Sequence, residues 1–404
     1  MAAHAIEPVT AAPAVRGTRA PRVAVVHDWL VTRGGAELVL DELLALFPDA
    51  VLFTLIAAPG TAEGWRRVET SALQHLPGIA RLYRSFLPLM PAAMRGLDVS
   101  AFDIVISNSH AIAKGVHTHD RQLHLCYCLS PMRYAWDLRD QYLRESGLDH
   151  GVRGVLARRL LERLRRWDEA NSGRVAAFAT LSHYIADRIA RAYGRDAQVI
   201  YPPVDTGYFT PQGVPGDAYV TASRFVPYKR MDMIARAFAL LPERRLVIIG
   251  DGPDIAKVRA AAGRNVTILG RQSREVVRDN MRSARAFVFA AEEDFGIAPV
   301  EAQACGTPVI AFGRGGVVET VRGLDDPLPT GLFYAEQTPE AIADAVRRFE
   351  LLEEPISPDR CRVNALRFRS ELFRESFRRF VAERWAAFSS EVGPGGFEPP
   401  HVGL

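Results

Sequence analysis

From Arg22 onward the chain alternates short apolar runs of strand length with longer segments whose apolar positions recur at helical spacing. RVAVVHDW leads into a helix expected over 36–47, followed by AVLFTLI. DIVISNS, LHLCYCLS, VAAFATLS and QVIYPPV continue the series, and these runs are nearly continuous in apolar residues, as parallel strands covered on both faces must be. YPPVDTGYFTPQGVPGD then brings four prolines and three glycines, too stiff and polar for a core element, so a linker is placed at 201–216. A second series follows, AYVTASR, RRLVIIGDG, NVTILG, AFVFAAE, PVIAFG and GLFYA, with helices expected near 231–240, 253–262, 273–282, 298–304 and 339–350. The pattern predicts an α/β protein of two Rossmann-like, doubly wound domains, 21–200 and 217–365. A helix over 366–388 closes the pattern, and 1–20 and 389–404 read as a disordered lead-in and a flexible tail. Two such halves facing each other create a cleft at the carboxyl ends of both sheets, where folds of this kind bind ligands.

Length agrees with that division, since 404 residues exceed what one hydrophobic core usually organises. At 48% hydrophobic and 24% charged the chain is globular. Fifty Lys and Arg against 47 Asp and Glu leave a formal charge of +3, too balanced for a protein built to wrap nucleic acid. The four cysteines, Cys126, Cys128, Cys305 and Cys361, form no C-x-x-C pair and read as reduced small hydrophobes of a cytoplasmic protein. The first twenty residues lack the apolar core of a secretory signal, and no run approaches the roughly 18 apolar residues of a membrane span.

Three places carry candidate chemistry. His27-Asp28-Trp29 runs from the first strand toward Gly34-Gly35 and a helix start, where close backbone approach and free N–H groups favour an anion; a tight turn needing positive φ would use the same glycines. Arg224 stands just past a strand with Lys229 five residues on, a pair able to clamp a diphosphate, or else two solvated surface cations. In AAEEDFGIAPVEAQACGTPVIAFGRGGVVETV, Glu293 falls in a loop and Glu301 inside the next helix, with Phe295-Gly296-Ile297 between them. A loop carboxylate beside a helix start suits sugar hydroxyls and phosphate, and a second carboxylate suits a ribose diol.

These residues together resemble the retaining, metal-independent nucleotide-sugar transferases of glycosyltransferase family four. The resemblance extends over about 22–388, and its most specific part is the Glu293 to Glu301 motif followed by Cys305-Gly306-Thr307-Pro308 and Gly315-Gly316. It implies the GT-B fold, with the C-terminal helix returning to the N-terminal domain, which would bind the acceptor. It also implies a donor site of Gly34 and Gly35 beside the diphosphate, Arg224 and Lys229 on the phosphates, and Glu301 on the ribose. Glu293 with the Phe295, Gly296 and Ile297 backbone would hold the transferred sugar, and His110 would lie near the reacting carbon. Catalytic roles fall on His110, Arg224, Lys229 and Glu293. No cofactor and no metal is expected, and no Asp-x-Asp triplet occurs in the chain. The family commonly has Gly before the arginine and Gly after the lysine, where Ser223 and Arg230 stand here.

Pro131-Met132-Arg133-Tyr134-Ala135-Trp136-Asp137 resembles a bacterial subgroup that includes mannosyltransferases of surface-polysaccharide assembly. GDP-mannose is therefore the first-choice donor, with UDP-glucose or a related UDP-sugar as the alternative and a non-catalytic nucleotide-sugar-binding protein as the alternative of another class. For an inverting reaction Asp28 or His27 would be the base to consider. The segment 151–170 carries Arg153, Arg158, Arg159, Arg163, Arg165 and Arg166 against three acids, and 75–96 carries Arg81, Arg84 and Arg95 with none. Both fit amphipathic helices packed on a sheet; both also fit peripheral contact with the inner face of an anionic plasma membrane and a lipid-linked or glycan acceptor.

Overall fold

A computed structural model describes residues 19–137, 139–145, 147–213 and 216–392. Most of the expected lead-in, 1–18, and of the expected tail, 393–404, lies outside the described residues. Seven strands, β1 (Val23–His27), β2 (Val51–Thr54), β3 (Val68–Thr70), β4 (Ile104–Ser109), β5 (Leu123–Cys128), β6 (Ala177–Thr180) and β7 (Ala197–Val199), form one parallel sheet in the order 3-2-1-4-5-6-7. Six more, β8 (Tyr219–Ala222), β9 (Leu246–Ile249), β10 (Val266–Gly270), β11 (Phe287–Phe289), β12 (Val309–Phe312) and β13 (Gly331–Tyr334), form a second parallel sheet in the order 10-9-8-11-12-13. The strand order reverses between β1 and β4 and between β8 and β11, so each sheet has a switch point at which the connections leave toward opposite faces.

The unbroken apolar runs arise because both faces of each sheet are covered. In β1, Val23 and Val25 join a core with Leu40, Leu43 and the C-terminal helix, while Ala24 and Val26 join a second core with Met90, Met94, Leu161 and Leu164. The C-terminal helix does return to the first sheet. Its Phe373, Phe377 and Phe380 are fully buried at helical spacing; the first two meet Tyr127 of β5 and the third meets Phe377, and Arg374 donates to Glu42 at 2.8 Å. Burial of each such ring is worth about 1.5–3 kcal/mol, enough to hold the crossing segment in place.

Local details differ from the sequence reading. The last helix is Ser370–Val392, preceded by a helix Pro358–Ala365 and a 3-10 turn Leu366–Phe368. The break falls at Arg369, whose backbone is extended (φ −68, ψ 151) because Val204 of the outgoing linker donates to Phe368 O at 2.8 Å, laying the two crossing strands of chain side by side. The edge strand β3 is three residues long and half polar, too short to register as a pattern. Segment 75–96 is not one continuous helix: Pro77, Gly78 and Pro88 interrupt it, leaving the short helices Ile79–Leu82 and Met90–Arg95, the second with Pro91 in its first turn, and a 3-10 turn between them. Segment 151–170 lies within a single helix, Gly151–Ser172.

Candidate active site

At the first switch point the chain leaves β1 at His27 and β4 at Ser109, which puts Asp28 and His110 side by side. Asp28 is fully buried. Its Oδ2 accepts from the backbone N–H of His110 and Ala111 at 2.7 and 3.1 Å, and its Oδ1 from those of Ile112 and Ala113 at 2.5 and 2.6 Å. His110 Nδ1 lies 2.9 Å from Oδ2, with the His110 side chain 32% exposed toward the cleft. Burial would raise the Asp28 pKa, but the His110 and His27 rings and the backbone donors hold it far below the carboxylate range. Burial would likewise lower the His110 pKa, and the adjoining Asp28 carboxylate reverses this and raises it. A carboxylate saturated in this way is a poor proton acceptor. His27 is also fully buried, its Nδ1 3.1 Å from Asn108 O and its Nε2 3.4 Å from Glu37 Oε1. Both residues thus act in this arrangement as supports for the loop that carries His110.

Glu37 reaches back to accept from Gly34 N–H at 2.7 Å, fixing the turn into the helix Gly35–Leu46. Gly34 is extended, at φ −152, and Gly35 is outside the left-handed region too, so the pair is not there for positive φ. Its reason is proximity: a Cβ on Gly35 would stand 2.8 Å from Ile297 Cδ1 of the opposite domain. The glycine turn and the start of the helix Ile297–Ala304 thus face each other directly across the cleft.

The second switch point supplies the other wall. Arg224 leaves β8 exposed, with no side-chain partner among the described residues. Lys229 pairs with Glu293, both largely buried. Glu293 O accepts from Gly316 N–H at 2.8 Å, and a Cβ on Gly316 would sit 2.3 Å from Asp294 O, so that glycine is what lets the 293–295 loop lie against the end of β12. Phe295 turns its ring inward, against Phe368 at 5.4 Å, which leaves its backbone for the cleft. Gly296 takes φ 88 to open the helix at Ile297. Along that helix Glu301 is largely buried, and burial pushes its pKa up to about 7 against the partial opposition of Arg274. Arg230, standing where a glycine is common, has φ 54 and ψ 34, the left-handed conformation that glycine adopts without strain.

The structure also gathers residues that the sequence reading passed over. Arg133, from the Pro131 to Asp137 stretch, pairs with Asp294, next to Glu293. Arg188 Nη1 lies 3.3 Å from the same carboxylate, and Ser182 Oγ donates to Asp294 O at 2.6 Å. Nearby, Lys114 and Asp168 form a fully buried ion pair at 2.5 Å. Asp168 also accepts from Trp136 Nε1 and Tyr193 OH, and Lys114 donates to Ala111 O at 3.0 Å, bracing the 110–113 turn from beneath. Among the described residues no cluster of three or more His, Cys, Asp or Glu could hold a metal ion.

Residues 216–368 match the family model for glycosyl transferases group 1. Among curated proteins, the D-inositol 3-phosphate glycosyltransferase of Mycobacteroides abscessus is 33% identical over 187 residues, 40% of this chain and 41% of that protein. The GDP-mannose-dependent monoacylated alpha-(1-6)-phosphatidylinositol monomannoside mannosyltransferase of Corynebacterium glutamicum is 30% identical over 208 residues, 44% of this chain and 52% of that one. The chain thus spans about two fifths to one half of the length of these relatives. Among solved structures, Anabaena Alr3699/HepE in complex with UDP and glucose superposes with a TM-score of 0.65 at 16% identity, over 90% of this chain and 100% of that one. A glycosyltransferase from Rickettsia africae ESF-5 does so at 0.60 and 16% identity, over 90% and 99%. At that identity the likeness establishes the fold, the two-Rossmann-domain architecture expected from the sequence.

Proposed function

We propose, from the match of residues 216–368 to the glycosyl transferases group 1 model, that the protein is a retaining, metal-independent glycosyltransferase that moves a hexose from a nucleotide sugar to a hydroxyl of a glycan or lipid-linked acceptor. The observation that carries this reading is the Lys229–Glu293 pair at the second switch point, four residues before Ile297, whose side chain meets Gly35 of the first. Breaking a sugar–phosphate bond requires the departing diphosphate to be neutralised and water to be excluded. Arg224, without a side-chain partner among the described residues, and Lys229 supply two positive charges, and the first-turn N–H groups after Gly296 supply a third electrostatic contribution. Arrival of the diphosphate draws Lys229 from Glu293, and the freed carboxylate accepts from the hydroxyls of the sugar. Glu301 holds the ribose. His110, its raised pKa favouring the charged form beside Asp28, meets the sugar from the other domain as a hydrogen-bond donor, and the acceptor proton goes to a phosphate oxygen, as retention requires.

GDP-mannose is the first-choice donor, supported by the Pro131 to Asp137 stretch and the mannosyltransferase relative. A UDP-sugar is the second reading, favoured by the UDP bound in the Anabaena structure of the same fold. For the acceptor side, a groove of about 560 Å³ is lined by Arg139, Arg158, Arg159, Glu162, Arg163 and Arg166. Val152, Val155 and Leu156 are exposed on the same helix, all within two turns of Arg158, a combination that supports peripheral contact with an anionic membrane from the cytoplasmic side. No helix among the described residues is long and apolar enough to cross a membrane. Incubation with GDP-mannose or UDP-glucose tests the reaction: release of the nucleoside diphosphate should proceed in EDTA and be abolished by Glu293→Ala. Loss in EDTA that Mn²⁺ alone restores contradicts the metal-free mechanism, and release unchanged in Glu293→Ala contradicts the site.

A further inference from the structure

Glu293 is anchored within its own domain by one backbone hydrogen bond, from Gly316. The next residue, Asp294, is held almost wholly by the opposite domain. Arg133 and Arg188 both reach its carboxylate, the second at 3.3 Å, and Ser182 donates to its carbonyl at 2.6 Å. Arg188 also donates to Asp137 at 2.7 Å; Arg188 is 5% and Asp294 13% exposed, so the Arg188–Asp294 pair is shielded from screening by solvent. Arg133 and Lys229 flank the Tyr228 ring, at 5.9 and 5.3 Å from its centre. Around the cluster Glu319 accepts from the N–H groups of His183 and Tyr184, both at 2.9 Å, and Tyr184 OH donates to Glu292 at 3.0 Å. Two adjacent carboxylates are therefore served by cations of different domains: Glu293 by Lys229 of its own, Asp294 by Arg133 and Arg188 of the other.

We infer that Arg133 and Arg188 are positioning residues that act through Asp294, setting the loop that carries Glu293 only while the two domains are in contact. The inference rests on the proposed reading, in which Glu293 holds the transferred sugar. Neither arginine needs to touch the donor. Each fixes the peptide next to Glu293 at a point that separates from the C-terminal domain when the cleft opens, so the sugar-holding carboxylate comes into register as the acceptor-bearing wall arrives and water leaves. A misplacement of about 1 Å at such a position can cost on the order of a hundredfold in rate.

The test uses the full chain with Arg133→Gln, Asp294→Asn, the double variant, and the exchanged pair Arg133→Asp with Asp294→Arg made together with Arg188→Gln, so that the new arginine does not meet a like charge. Three quantities are read: solution scattering of the ligand-free protein, affinity for GDP and UDP, and release of GDP or UDP from GDP-mannose or UDP-glucose with water as acceptor. Each single variant should scatter as a more open particle and release nucleoside diphosphate roughly tenfold to a hundredfold more slowly, with nucleotide affinity within about threefold of wild type. The double variant should be no worse than the poorer single one, and the exchanged pair should recover part of the rate. Wild-type rates in the single variants, multiplicative losses in the double, or nucleotide affinity falling in step with rate would overturn the positioning role while leaving the functional reading intact. If a Gln or Asn variant does not fold, the exchanged pair decides: a folded protein with no recovery also overturns it. Wild-type protein that binds neither GDP nor UDP removes the functional reading and this inference together.

Discussion

Asp28 illustrates how a residue placed at a catalytic position can be structural in its action. Four N–H groups and the His110 ring converge on a carboxylate with no exposure, and that convergence shapes the turn from which His110 faces the cleft. Asp28→Ala strands those donors and should destabilise the protein by at least about 2 kcal/mol, read as a lower midpoint in chemical denaturation; an unchanged midpoint would mean the turn holds itself. Glu301 makes the converse case. Its folded pKa is raised from 4.5 to about 7, so its favourable contribution to stability is complete below about 4.5 and lost as pH rises through about 7. Accepting from both hydroxyls of a ribose diol favours the ionised form, in which neither carboxylate oxygen carries a proton, and this gives ligand binding the opposite trend. Affinity for a nucleotide sugar, whose phosphates are diesters that do not titrate here, should rise between about pH 6 and about pH 8 by at most about tenfold per unit, and be flat in Glu301→Gln. A pH dependence that survives the substitution assigns the titration to another group.

At the level of elements, the loop from Arg224 to Arg230 and the loop from Glu293 to Ile297 differ in how their shape is secured. The second is fitted by glycines, with Gly296 at φ 88 and Gly316 in close backbone contact. The first ends in Arg230, the one non-glycine residue at positive φ among the described residues. Arg230→Gly should raise stability by about 1 kcal/mol, measured as an increase in denaturation midpoint with nucleotide affinity retained; a decrease would mean that the Arg230 side chain repays the strain. These elements also mark what could be read from sequence. Strand positions were legible because apolar runs covered on both faces have no competing explanation, and Glu293 and Glu301 because their spacing around Phe295-Gly296 is specific. The boundary at Arg369 was not legible, because it is dictated by Val204, distant in sequence. Segment 75–96 packs an apolar face on the first sheet, through Ile79, Met90 and Met94, but as short helices, because Pro77, Gly78 and Pro88 interrupt the spacing of its arginines and leucines.

Across the whole molecule, the site exists only as the sum of two sheets. His110, Gly35, Arg133 and Arg188 come from one and Arg224, Lys229, Glu293 and Glu301 from the other, joined by the linker and by the crossing at Phe368. Arg133 and Asp294 stood in stretches that the sequence had already singled out, yet nothing within either stretch says that they meet; 161 residues separate them, and only the closed arrangement of domains brings them together. Lys114 and Asp168 were hidden for the same reason, each unremarkable beside its own neighbours and fully buried against the other. The central claim, that this two-domain cleft binds a nucleotide sugar without a metal, is tested most directly by calorimetric titration of the purified protein with GDP, GDP-mannose, UDP and UDP-glucose in the presence of EDTA. The account predicts binding to one nucleotide family, with affinity reduced in Arg224→Ala by about 1.5–3 kcal/mol, the worth of a hydrogen bond to a charged group. Absence of heat with all four, or binding to one of them that appears only on adding a divalent cation, would contradict it.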